Sequence, residues 1–175
     1  MKNAYAGHLK YSFQLRPHTV ADQAYIGAYQ GIGVGYFNFG NPEELGNPLA
    51  VYLFQGGRIA QFSPRISLNY EWNFGASFGW KPYDEYDNPE NQIIGSKVNA
   101  YLNVNLYLKW ALSPKFDLMI GTTGSHFSNG NTQYPNSGLN TVDCKVGLVY
   151  NFNRRADELC LLYTSPSPRD RQKSR

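Results

Sequence analysis

The sequence predicts an all-β chain: an antiparallel transmembrane β-barrel of the eight-stranded outer-membrane type, lacking one N-terminal strand. Three observations lead there. Apolar and polar residues alternate over unusually long runs. The connections between those runs are alternately long and short. Charged residues make up only 17% of the 175 residues, whereas aromatics reach 15%, with 14 tyrosines. Such a composition suits a wall with one face in lipid and one in a polar lumen, because the two faces average out along each strand. No run approaches the roughly 18 apolar residues of a membrane helix.

The clearest run is 66–80. Ile66, Leu68, Tyr70, Trp72, Phe74, Ala76, Phe78 and Trp80 fall on one face, and Ser67, Asn69, Glu71, Asn73, Gly75, Ser77 and Gly79 on the other. Successive side chains of a strand point to opposite faces, so this period of two reads as one long strand. Residues 98–109 repeat it, with Val98, Ala100, Leu102, Val104, Leu106 and Leu108 against Asn99, Tyr101, Asn103, Asn105, Tyr107 and Lys109. Strands of soluble proteins average about 5–6 residues, whereas a tilted membrane strand needs about 9–11 within the hydrocarbon.

In order, the strands are expected at about 5–15, 27–38, 49–61, 65–81, 95–111, 115–128 and 139–152. Phe62-Ser63-Pro64 and Leu112-Ser113-Pro114 read as short turns. Segments 38–48, 82–94 and 129–138 are long, polar and rich in Asn, Pro and Gly, as loops are. Short turns at one end and long loops at the other match an outer-membrane barrel. The connection 16–26 is too long for such a turn. Gly31, Gly33 and Gly35 lack the GxGxxG spacing of a nucleotide loop and are followed by no helical pattern; they read as inward-facing glycines of a narrow barrel. Trp80, Tyr83, Tyr86 and Trp110 lie near strand ends, as an interfacial girdle would. The final strand ends in an aromatic, Phe152, as assembly signals of such barrels do. Seven strands in a class that uses even numbers, together with a start (Met1-Lys2-Asn3-Ala4-Tyr5) that has no apolar signal-peptide core, are both explained by truncation upstream of residue 1.

Residues 1–152 are thus the barrel, and 153–175 a non-native or disordered tail. Leu161–Asp170 has neither period and resembles translated sequencing-adapter read-through. The net charge of +3 comes from the tail, which carries six basic and three acidic residues; residues 1–152 hold ten of each. A neutral body excludes a nucleic-acid partner. Cys144 alternates with Val142 and Val146 as a small strand residue, and Cys160 lies in the tail, so no disulfide framework is expected. His8 and His18 sit in no motif, and no metal spacing occurs.

The chemistry lies in the last two strands. The apolar face of the sixth runs Phe116, Leu118, Ile120, Thr122, Gly124, His126, Ser128, so His126 and Ser128 share a face. Asn140 shares its face with Val142 and Cys144. If the apolar faces look outward, these three polar side chains converge on lipid at the loop end, with the small residues Thr122 and Gly124 leaving a shallow trough beneath. Interfacial polar residues without a role are the plain alternative, since a polar group is cheap at that depth. A serine with an adjacent base is a nucleophile, and a third group can orient the base.

His126-Phe127-Ser128-Asn129, Pro135-Asn136-Ser137-Gly138-Leu139-Asn140 and the terminal Tyr150-Asn151-Phe152 resemble the lipid A deacylase family of outer-membrane acyl hydrolases. Gln30–Gly35 and Tyr70–Gly75 are similar to its acyloxyacyl-hydrolase-like branch. The resemblance implies an outer-membrane serine esterase that removes an ester-linked chain from lipid A (lipopolysaccharide) in the outer leaflet. It implies Ser128 as nucleophile, His126 as general base, Asn129 as oxyanion donor and no cofactor. At residue 140 the family pattern has glutamate; Asn140 can fix the imidazole tautomer, as in Cys-His-Asn enzymes, but brings no charge. Two other readings stand beside this one: a non-catalytic outer-membrane barrel that keeps the family shell, and a soluble lipocalin-like binder, against which the strand lengths count.

Overall fold

The computed structural model describes residues 3–14, 27–152 and 154. They form one antiparallel sheet of seven strands in sequential order, with no helix among the described residues. The strands are β1 (Tyr5–Gln14), β2 (Tyr29–Asn38), β3 (Gly46–Ser63), β4 (Ile66–Trp80), β5 (Val98–Ala111), β6 (Phe116–Ser128) and β7 (Leu139–Tyr150). The connection 16–26, His18, Cys160 and the tail from Arg155 onward lie outside the described residues.

Strand ends differ from expectation in two informative places. β3 starts at Gly46, three residues early, and runs through Pro48 at a register irregularity between Gly46 and Leu49. Proline has no N–H to give a ladder, so it enters a strand at its start or at a bulge. β5 starts at Val98 rather than 95, because Ser96 is drawn into the loop beside Ile94. Ile94 is fully buried, and Ser96 Oγ donates to Val98 O (2.9 Å).

The sheet curls tightly. Lys10 of β1 and Lys145 of β7 both pair with Glu71 of β4, on the inner face. Tyr11 and Phe152 approach across the gap between the outer strands, with ring centroids 6.4 Å apart. Alternation then sorts the strands, except at the end of β4: Gly79 takes a positive φ of 86°, and Trp80, expected on the outer face and in an interfacial girdle, turns inward and is 4% exposed. Leu53, Trp72, Phe74, Val104, Leu106, Ile120 and Val146 stand exposed on the outside, while Tyr52, Asn69, Glu71, Asn103, Tyr107 and Asp117 are buried inside. The inward glycines are needed for this curvature: a methyl on Gly33 would lie 2.5 Å from the Tyr52 ring.

The interior has three tiers. At the loop end Phe37, Phe39, Trp80, Tyr101 and Phe127 pack ring on ring, with centroids 5.1–5.9 Å apart. Such pairs contribute about 0.5–1.5 kcal/mol each beyond simple burial. In the middle, Glu71 also accepts hydrogen bonds from Tyr29 (3.1 Å) and Asn105 (3.3 Å), so the buried carboxylate is paired and satisfied, as burial of charge demands. At the turn end Arg154 donates to both oxygens of Asp117 (2.9 and 2.7 Å).

Candidate active site

β6 and β7 pair in a register that sets His126 directly opposite Asn140. On its other side β6 pairs with β5, placing Leu102 beside His126 and Ala100 beside Ser128. Parity puts Ala100, Leu102, His126, Ser128, Asn140 and Val142 on the outer face together. Between the two polar residues of β6, Phe127 points inward and is fully buried in the aromatic tier. The pleat is therefore anchored from inside while its chemistry points out.

His126 bridges the other two side chains. Its Nδ1 lies 2.7 Å from Asn140 Oδ1, and its Nε2 lies 3.0 Å from Ser128 Oγ. An amide oxygen only accepts, so Nδ1 carries the proton and Nε2 is left as an acceptor for the serine O–H. This is the arrangement in which an imidazole can deprotonate a hydroxyl.

Beside this trio runs a groove of about 370 Å³ lined by Leu102, Val104, Gly124, His126, Asn140 and Val142, with Asn103, Ser125 and Thr141 at its base. Its floor at Gly124 is open: the nearest heavy atom to an added methyl would be Thr141 O, at 3.9 Å. Thr122, expected to share the floor, lies one step further down between Leu106 and Cys144 and does not line the groove.

Asn129 begins the β6–β7 loop. Its backbone N–H donates to Asn136 Oδ1 (3.1 Å), its Nδ2 donates to Gln133 O (2.8 Å), and its Oδ1 is buried without a partner. Its backbone N–H and one of its two side-chain N–H groups are thus engaged within the loop in the resting arrangement. Asn136, part of the motif but without a role assigned from sequence, ties the far side of this loop to the residue after Ser128. Asp143 falls on the inner parity, hydrogen-bonded to Thr141 (2.9 Å) and turned away from His126. His8 faces the interior, with its Nδ1 3.0 Å from Tyr52 Oη. Among the described residues no group of His, Cys, Asp or Glu could hold a metal ion.

Fold and site together define a curled antiparallel sheet with a serine–histidine pair on its apolar outer surface, next to an open groove. The family model for lipid A 3-O-deacylase (PagL) matches residues 5–149. The chain belongs to that family, one of hydrolases that deacylate lipid A. No curated protein and no solved structure matches the chain.

Proposed function

We propose that the chain is a serine esterase of the bacterial outer membrane that removes the 3-O-linked acyl chain from lipid A in the outer leaflet. The observation that carries this reading is the hydrogen-bonded series Ser128–His126–Asn140 on the outer, apolar face. The exposed apolar girdle supports membrane embedding, since such a surface on a soluble protein would exceed any ordinary patch.

In this reading Ser128 Oγ attacks the ester carbonyl while His126 Nε2 takes its proton. Asn140 Oδ1 holds the tautomer and shares the positive charge that forms on the ring. The carbonyl π electrons move to oxygen, and the backbone N–H of Asn129, immediately after the nucleophile, turns from Asn136 Oδ1 to stabilise that oxyanion. Collapse breaks the bond to the sugar oxygen, which leaves with the proton from His126. Water, deprotonated by the same Nε2, then hydrolyses the acyl-serine and releases the fatty acid. The departing chain lies in the groove over Gly124, with Thr122 further down the same face. The chemistry is complete with these groups and calls for no cofactor. The uncharged Asn140 favours one rival, a non-catalytic barrel that keeps the shell of the site.

The test is to present lipid A to the full chain in outer membranes and follow its mass. Loss of one acyl chain is expected with the native chain, and none with Ser128→Ala or His126→Ala. Intact lipid A in the first case, or equal loss in all three, would overturn the esterase reading.

A further inference from the structure

The β4–β5 loop lies against the loop that follows Ser128, and one residue makes that contact possible. A methyl group on Gly95 would lie 2.7 Å from Tyr134 C, Tyr134 O and Pro135 O. All three are backbone atoms, so the loop itself would have to move. Gly95 is not one of the positive-φ glycines; closeness alone, not backbone conformation, excludes a side chain there. Beside it Ser137 Oγ donates to Gln92 O (3.1 Å).

The β4–β5 loop is itself firmly rooted. Asn91, 2% exposed, accepts from the N–H groups of Ile93 and Ile94 (3.0 and 3.1 Å) and donates to Glu44 O and Lys81 O (3.2 and 2.7 Å). Ile94 is fully buried in the aromatic tier that also holds Phe127. On the other side of the contact, Asn136 follows Pro135 and receives the Asn129 N–H. A continuous series of contacts therefore runs from Asn91 through Ile94 and Gly95 to Tyr134–Pro135, then through Asn136 to Asn129 beside Ser128.

We propose that Gly95 is a positioning residue for the deacylation reaction: its bare backbone lets the β4–β5 loop brace the β6–β7 loop and hold Ser128 in place, with the Asn129 N–H parked on Asn136 until it turns to the oxyanion. The inference rests on Ser128 being the nucleophile. Gly95 touches neither substrate nor reacting atoms and acts through Tyr134–Pro135.

The test uses the full chain in detergent, with lipid A as substrate and a fluorophosphonate as a probe of Ser128. Gly95→Ala is expected to lower kcat by up to about a hundredfold, the scale of a misplacement near 1 Å. KM should stay unchanged, fluorophosphonate labelling should slow in parallel, and the folded gel mobility of the unheated protein should be retained. Ser137→Ala should give a smaller loss of kcat that Ser137→Thr restores. Gly7→Ala, with nothing within 4 Å of the added methyl, should leave every reading at the native value. Native kcat and labelling in Gly95→Ala overturns the proposal. So does a Gly95→Ala variant that loses its folded mobility while Ser137→Ala folds with full activity. Equal deacylation by the native chain and Ser128→Ala would instead remove the nucleophile beneath it, an outcome read without any Gly95 variant.

Discussion

Asn140 is where a single atom sets what His126 can do. Its Oδ1 accepts from Nδ1 and so fixes the tautomer, but a neutral amide stabilises an imidazolium less than a carboxylate does. Charge-assisted hydrogen bonds are roughly twice as strong as neutral ones. Asn140→Glu is therefore expected to raise kcat about tenfold, equivalent to about 1.4 kcal/mol, and Asn140→Leu to lower it. Single-turnover release of fatty acid measures both. The convergence of Ser128, His126 and Asn140 was legible in the sequence because parity alone put all three on one face. The engagement of Asn129 was not: its partners, Asn136 and Gln133, lie across a loop whose path no periodicity encodes. The displacement of Thr122 from the groove was equally hidden, since the walls Leu102 and Val104 come from β5 and depend on register.

At the scale of elements, the β6–β7 hairpin is anchored to the interior by one ring. Phe127 enters the aromatic tier from inside, edge-on to Phe37 and Trp80 and stacked with Tyr101. Phe127→Ala is expected to destabilise the protein by about 3–5 kcal/mol, read as a lower urea midpoint for unfolding from detergent. The strands themselves were legible because alternation over 66–80 and 98–109 has no competing period. The loop 81–97 was not. Asparagines there read as turn formers, yet Asn88 and Asn91 are clamps, Asn88 donating to Glu44 O and Pro82 O (2.9 and 3.0 Å). Nearby, the N–H groups of Tyr86 and Asp87 donate to Asp84 and hold its carboxyl below the ordinary range. Ile94 read as part of a polar loop, and its burial was hidden because Phe37, Trp80 and Phe127, which share its cluster, are remote in sequence.

At the scale of the whole molecule, one buried anion links the two edge strands to the middle of the sheet. Glu71, its side chain 3% exposed, meets lysines from both outer strands. Glu71→Gln leaves two inward cations without a counter-charge, and breaking a buried pair this way costs about 3–5 kcal/mol; the same urea titration is expected to register it. The three tryptophans test which surface meets lipid. Trp72 and Trp110 are 44% and 48% exposed on the outside, while Trp80 is 4% exposed within. In single-tryptophan variants placed in bilayers of brominated lipid, Trp72 and Trp110 are expected to be quenched and Trp80 spared. Quenching of Trp80 alone would mean that the apolar faces had been assigned the wrong way round.

In the proposed reaction, the position of Ser128 as the last residue of its strand carries a consequence for turnover. Hydrolysis of the acyl-serine needs water, and a nucleophile at the rim meets the hydrated headgroup zone, whereas one two steps lower, at Gly124, would be sunk in hydrocarbon. Catalysis is thereby tied to how high the bilayer rises around the wall. A membrane a few ångströms thicker submerges the rim, or forces the protein to tilt or thin the lipid near it. The leaflet that supplies the substrate then also sets the pace at which the enzyme is freed for the next molecule.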